Sequence, residues 1–346
     1  MNAHVDGSAD LAPARALTII AAIYGVSLVL TAALARAAGA PFALWFRDTP
    51  LLLAALLGFV LLLGVIWDGS LVSIGLVSEK FRGWRTPGAS GLSVESLRAR
   101  RFFTCGASPI LMLLATGFVI LGTSNLTLLN LQLLGSVTQW RDPFFWQLEG
   151  ALLEKIIQSP IATTAWDGLY HSAWGIELLA AFALIVVGRG PRIVLHYCVT
   201  MILLFYVGRL LGILNPVMGP AFYRPDLFAW LDGSVTSEAM RRVTEVLAAS
   251  PEKAVDSGGI LLGGVSAMPS LHVAMVAVTA YWLAVARRWT VAITLPWVAL
   301  VWTSTVVLGW HYILDGAGGI ILGAVCVLLA RWLLEITGAS LGNVRR

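Results

Sequence analysis

Two histidines in this chain stand at the edges of apolar runs. His272 closes the string Met268-Pro269-Ser270-Leu271-His272, and His311 lies within Gly309-Trp310-His311-Tyr312-Ile313-Leu314-Asp315. Asp315 follows His311 by four residues, a spacing that puts two side chains on one helical face, so the carboxylate is expected to reach the imidazole. A carboxylate on one ring nitrogen fixes the tautomer and stabilises the positive charge that develops when the other nitrogen attacks. A second imidazole can protonate the leaving oxygen and then deprotonate the incoming nucleophile. Two imidazoles and one carboxylate therefore suit phosphoryl transfer through a phosphohistidine. The non-bridging oxygens need cationic and hydroxyl donors. Ser270 lies two residues before His272, and a helix starting near Pro269 would add free backbone amides as an anion site.

The elements that must position these groups are membrane spans. The composition is 58% hydrophobic and 12% charged, with a mean hydropathy of +0.83, about half the charge of a soluble domain. Eight apolar runs are read as spans, at roughly 17–36, 50–67, 108–130, 169–188, 193–213, 268–286, 290–309 and 313–334. The fold class is thus an all-α polytopic membrane protein. The first run reads as a retained helix, not a signal peptide, because it is long and lacks a clear small-residue cleavage site. With the N-terminus cytoplasmic, 14 of the 23 basic residues fall in inner segments, as the positive-inside rule requires. Both termini are then cytoplasmic and both histidine strings lie at the outer face.

Three connections are long. The inner one, 68–107, is basic and reads as a solvated connection on anionic headgroups. The outer segment 131–168, with Arg141-Asp142-Pro143-Phe144-Phe145-Trp146 and then Leu148 to Ile157, reads as a helix lying in the interface plane. The outer segment 214–267 holds a short helix around Ser237 to Ala249 that is placed to roof the site. No internal repeat is visible, which argues against an inverted-repeat transporter. The basic residues form no aromatic-interleaved stripe, so nucleic acid is not an expected partner. Cys105, Cys198 and Cys326 are far apart and have no metal spacing; they read as small buried hydrophobes.

Ionisable groups at membrane depth default to functional candidates. Those nearest the outer face are His171, Glu177, Arg209, His272, His311 and Asp315. Arg209 lies 17 residues from Arg192, about 25 Å along a helix, near the outer end of its span. Asp167 and His171, spaced i to i+4, together with Glu177 are candidates for the acceptor side of the site. His196 lies near the inner end and reads as structural.

The histidine strings resemble the second and third motifs of the type 2 phosphatidic acid phosphatase (PAP2) superfamily. Pro-Ser-x-His is matched by Pro269, Ser270 and His272. Ser-Arg-x5-His-x3-Asp is matched at Ser304, His311 and Asp315, with Thr305 where the arginine belongs. The first motif, Lys-x6-Arg-Pro, is not cleanly present near Arg209 or Arg224-Pro225. Asn215-Pro216-Val217-Met218-Gly219-Pro220 is similar to the Pro-x-x-Gly-Pro stretch of the inositolphosphotransferase branch, which includes inositol phosphorylceramide synthase and many bacterial relatives. The likeness spans roughly 140–335. It implies a six-helix core, so the chain divides into a two-helix addition with its loop (1–107) and a catalytic membrane domain (108–346).

The resemblance implies His311 as nucleophile, Asp315 as its orienter, His272 as acid and base, and Ser270 and Ser304 as phosphate contacts. Arg209 and Arg224 are candidate replacements for the missing motif cations on location alone, with Tyr223 beside them. The expected activity is cleavage of a phosphate ester on a membrane lipid at the outer face of a bacterial plasma membrane, with no metal and no cofactor. The acceptor is water, or an alcohol on a lipid or polyol. The branch likeness and Thr305 tilt the reading toward a transferase, because a diester carries less charge than a monoester. The alternatives are a simple lipid phosphate phosphatase, a proton-coupled transporter using His, Glu and Asp as relays, and an idle scaffold.

Overall fold

A computed structural model of the 346-residue chain describes residues 13–82, 102, 108–134, 140–159, 164–187, 191–248, 250–255 and 266–339. The polar N-terminal stretch to residue 12, the basic loop over 83–101 and Cys105 lie outside the described residues. Among the described residues the regular structure is helical. The main helices are α1 (Pro13–Ala38), α2 (Thr49–Arg82), α3 (Ser108–Gly122), α4 (Ser124–Leu134), α5 (Asp142–Ile157), α6 (Ala165–Val187), α7 (Pro191–Leu214), α8 (Val235–Ala248), α9 (Leu271–Ala286), α10 (Val291–Val307) and α11 (Ile313–Ile336). Among the described residues seven spans are long and apolar enough to cross a bilayer, α3 and α4 counting together. The chain is an integral membrane protein.

Three expectations shift. The sixth expected span, α9, is a 16-residue apolar helix, shorter than the ~20 residues of a full crossing. The third expected span is broken at Thr123, and Asn125 just beyond the break pins the α1–α2 connection by exchanging hydrogen bonds with the Ala43 amide (2.9 Å) and carbonyl (2.8 Å). The inner connection does not start at Asp68, since α2 runs on to Arg82. Asp68 marks a tether, not a helix end: its Oδ1 accepts the Phe102 amide at 2.6 Å, and Phe102 is buried against Phe182.

Helix α7 is apolar on every face and sits at the centre, touching α3, α4, α9 and α11. Its most apolar window is 67% buried, against 11% for α1 and 17% for α2, so these two pack outside, against α3 and α4. A helix that is apolar all round belongs in the interior. Close approach of α9 to α11 depends on Gly319, where a Cβ would lie 2.3 Å from the Ser270 carbonyl oxygen; small residues at such crossings let backbones meet. The Ser270 amide also donates to the Asp315 carbonyl at 2.9 Å. Together these contacts start α9 beside the first two turns of α11 and bring both histidine strings to one end of the bundle.

Candidate active site

His311 sits in the turn between α10 and α11. Gly309 makes that turn with φ of 75°, a left-handed conformation that glycine alone adopts without penalty. The amides of Trp310 and His311 both donate to the Thr305 carbonyl, at 3.0 and 3.1 Å. Tyr312 is the N-cap of α11, so His311 precedes the helix. Its closeness to Asp315 therefore comes from the cap and not, as expected, from a shared helical face. The Asp315 carboxylate folds back to accept the Tyr312 amide at 2.8 Å, which brings Oδ2 to 3.5 Å from His311 Nδ1. Asp315 is fully buried and His311 7% exposed. At this distance the pair is a close contact and not yet a hydrogen bond, and such catalytic contacts often tighten when the reacting group arrives.

His272 opens α9. Its Nε2 accepts the Trp174 indole N–H at 3.2 Å, and its ring packs on Tyr170 with centroids 4.8 Å apart. The His272 and His311 ring centroids lie 6.1 Å apart, a gap one phosphoryl group can bridge. Both rings line a cavity of about 540 Å³ with Arg209, His171, Tyr170, Trp174, Phe222 and Trp310. Arg209 is buried in its wall and donates to Thr127 Oγ1 on α4.

The other expected site residues do not line this cavity. Ser270 is fully buried, and its hydroxyl caps α9 by accepting the Val273 amide. Ser304 is buried and donates to the Val301 carbonyl of its own helix at 2.7 Å. Arg224 lies outside, held by both oxygens of Asp226 at 3.0 and 2.8 Å and lying over the Trp146 ring. Tyr223 is 39% exposed beside the same Trp146. Glu177 is buried between helices and accepts the Thr279 hydroxyl. Asp167 accepts the Val235 and Thr236 amides (2.8 and 3.0 Å) and the Thr236 hydroxyl. It thereby fastens the N-terminus of α8, the expected roof, onto α6. His171 joins through Thr236 Oγ1 at 3.3 Å while also facing the cavity. Among the described residues no group of three or more His, Cys, Asp or Glu converges as a metal site would.

The sequence pointed to a helix where α5 lies, but the role of its two acids was missed. Its Glu149 accepts the Ile313 and Leu314 amides at 2.6 and 2.8 Å, satisfying the otherwise unpaired first amides of α11. Its Asp142 accepts the Met218 and Gly219 amides, both at 2.9 Å, and the Tyr312 hydroxyl at 3.3 Å. Two carboxylates thus tie the Pro216–Pro220 stretch and the His311 turn to one helix. Gly219 fits there because its φ is 114° and a Cβ would lie 2.3 Å from the Trp310 carbonyl oxygen. Burial holds both carboxyls above the ordinary carboxylate range, against the lowering effect of the amide hydrogen bonds. The buried stripe of α5 runs Asp142, Phe145, Glu149, Leu153, Ile157. The signal was legible: two acids occupy positions that helical periodicity assigns to the apolar face.

The PAP2 superfamily model matches residues 142–329, more than half of the chain. The chain belongs to the PAP2 superfamily. The match begins at Asp142 and ends within α11, so it takes in the α5 struts, both histidine strings and the whole cavity wall from α6 onward. Membership makes this a phosphatase-type membrane enzyme. Comparison with curated proteins and with solved structures returned no match.

Proposed function

We propose that this enzyme cleaves a phosphate ester on a membrane lipid through a phosphohistidine on His311, at the outer face of a bacterial plasma membrane. The observation that carries the reading is the convergence of His272 and His311 on one cavity, with Asp315 behind His311. Nδ1 of His311 turns toward Asp315, which leaves Nε2 for phosphorus. In the first step the Nε2 lone pair forms an N–P bond and the P–O bond to the leaving group breaks. His272, protonated at the start of the step, gives that oxygen a proton and is left neutral. In the second step His272 takes the proton from the acceptor hydroxyl, the acceptor oxygen bonds to phosphorus, and the N–P bond breaks. Asp315 stabilises the imidazolium in both steps.

Arg209 is a buried cation of the cavity wall. Position 305 supplies none, since Thr305 is fully buried with its hydroxyl on the Trp302 carbonyl. The lack of a cation at that position suits a donor with a singly charged phosphodiester, and a cavity of about 540 Å³ has room for an alcohol acceptor beside it. The preferred reaction is therefore transfer of a phosphoryl or phospho-head group to an alcohol, with hydrolysis as the competing outcome. Incubation of the purified protein with defined phosphodiester and phosphomonoester lipids, with and without added alcohol, tests this by product mass. A new phosphodiester that depends on the alcohol supports transfer. Free phosphate alone, unchanged by alcohol, makes the enzyme a phosphatase.

A further inference from the structure

The roof helix α8 sends five residues into the cavity wall: Val235, Glu238, Ala239, Arg242 and Val243. Its N-terminus is fixed to α6 through Asp167 and Thr236, so the height of Arg242, six residues further along, is set at about 9 Å beyond that anchor. The charges on this helix are unevenly matched. Arg241 binds both oxygens of Glu238, at 2.9 and 2.8 Å, and also binds Glu245. Arg242 meets Glu238 only through Nε, at 3.0 Å, on an oxygen it shares with Arg241. Glu238 is therefore already neutralised by Arg241, and releasing Arg242 from it leaves that carboxylate paired. Such a planar guanidinium is suited to phosphate oxygens.

We propose that Arg242 binds the substrate phosphate at the cavity mouth, with Glu238 holding it until the anion arrives. This rests on the phosphoryl-transfer reading above. Arg209 then holds the phosphate from the bundle side and Arg242 from the roof. The ligand chemistry is a phosphate group with free non-bridging oxygens. Arg241, one position along the helix and absent from the cavity wall, keeps Glu238 from repelling that group.

Orthovanadate binding to the purified full chain in detergent tests the assignment, because vanadate probes a phosphate site without a bilayer whose headgroups would attract any exposed arginine. Arg242→Gln is expected to weaken binding about tenfold, the loss typical of a charge-assisted hydrogen bond. Arg242→Lys should recover part of it, and Glu238→Gln should tighten binding by freeing Arg242. Lys253→Gln, an equal charge change on an exposed residue away from the cavity, should have no effect. The proposal is overturned if Arg242→Gln binds like the wild type, if Lys253→Gln loses as much, or if the wild type binds no vanadate saturably. The outcomes separate from those of the parent reading. Lipid turnover that survives His311→Ala removes the nucleophile, whereas normal dependence on His311 with unaltered vanadate binding in Arg242→Gln removes only the role of Arg242.

Discussion

At the scale of single residues, the account divides labour between two imidazoles and the groups behind them. The Asp315 carboxylate accepts the Tyr312 amide and lies 3.5 Å from His311 Nδ1. Asp315→Asn keeps the size but removes the charge that stabilises the imidazolium, so kcat should fall by at least about a hundredfold with little change in KM. Trp174 has a gentler role. Its indole N–H fixes the acceptor nitrogen of His272, and Trp174→Phe retains the ring while deleting the donor. That substitution should lower kcat severalfold, roughly the ~1 kcal/mol worth of a neutral hydrogen bond, and an unchanged kcat would remove Trp174 from the account. Much at this scale was legible: the paired strings identified His272, His311 and Asp315 through spacing within a few residues. Spacing said nothing of which side a loop arginine faces. Arg224 has Asp226 two residues on, which draws it away from the cavity, whereas Arg242, not singled out in the sequence, faces it.

At the scale of elements, α5 is the strut that the histidine turn leans on. Glu149 reaches amides 164 and 165 residues away in sequence, which is why local pattern could not reveal the contact even though the acids on an apolar stripe could be seen. Glu149→Gln leaves one amide of α11 without a carboxylate oxygen, a loss of about 1–3 kcal/mol for a buried unsatisfied group. It should lower thermal stability and kcat together. Because burial raises the carboxyl of Glu149, the folded chain binds more protons than the unfolded chain in the interval between its ordinary and raised values. Its contribution is therefore fully present at low pH and is lost as pH rises through the folded value. The stability advantage of wild type over Glu149→Gln should accordingly grow as pH is lowered from 7 toward the ordinary carboxylate range, read by thermal unfolding in detergent. An advantage that shrinks instead would contradict the raised value. The roof helix was legible within a few residues of Val235–Ala248, because turn residues and Pro251 bound it.

At the scale of the whole molecule, the apolar runs identified the spans and the basic residues suggested their direction. Hydropathy reports how long a run is and not how it is used, so the short α9 and the break at Thr123 were hidden; both reflect packing against α11 and the α1–α2 connection. Orientation can be checked with an impermeant maleimide on intact cells. A cysteine at exposed Asp232, on the segment between the Pro216–Pro220 stretch and α8, should be labelled, and one at exposed Arg288, at the far end of α9, should not. The reverse pattern would put the cavity on the cytoplasmic side. The central claim is a covalent intermediate on His311, and it is tested most directly by rapid acid-free quenching of turnover on a defined phospholipid, followed by digestion and mass mapping. The account predicts an acid-labile phosphoryl or phospho-head-group adduct on the peptide containing His311, absent from His311→Ala, which should also have no turnover. An adduct on another residue, or turnover that persists in His311→Ala, would contradict it.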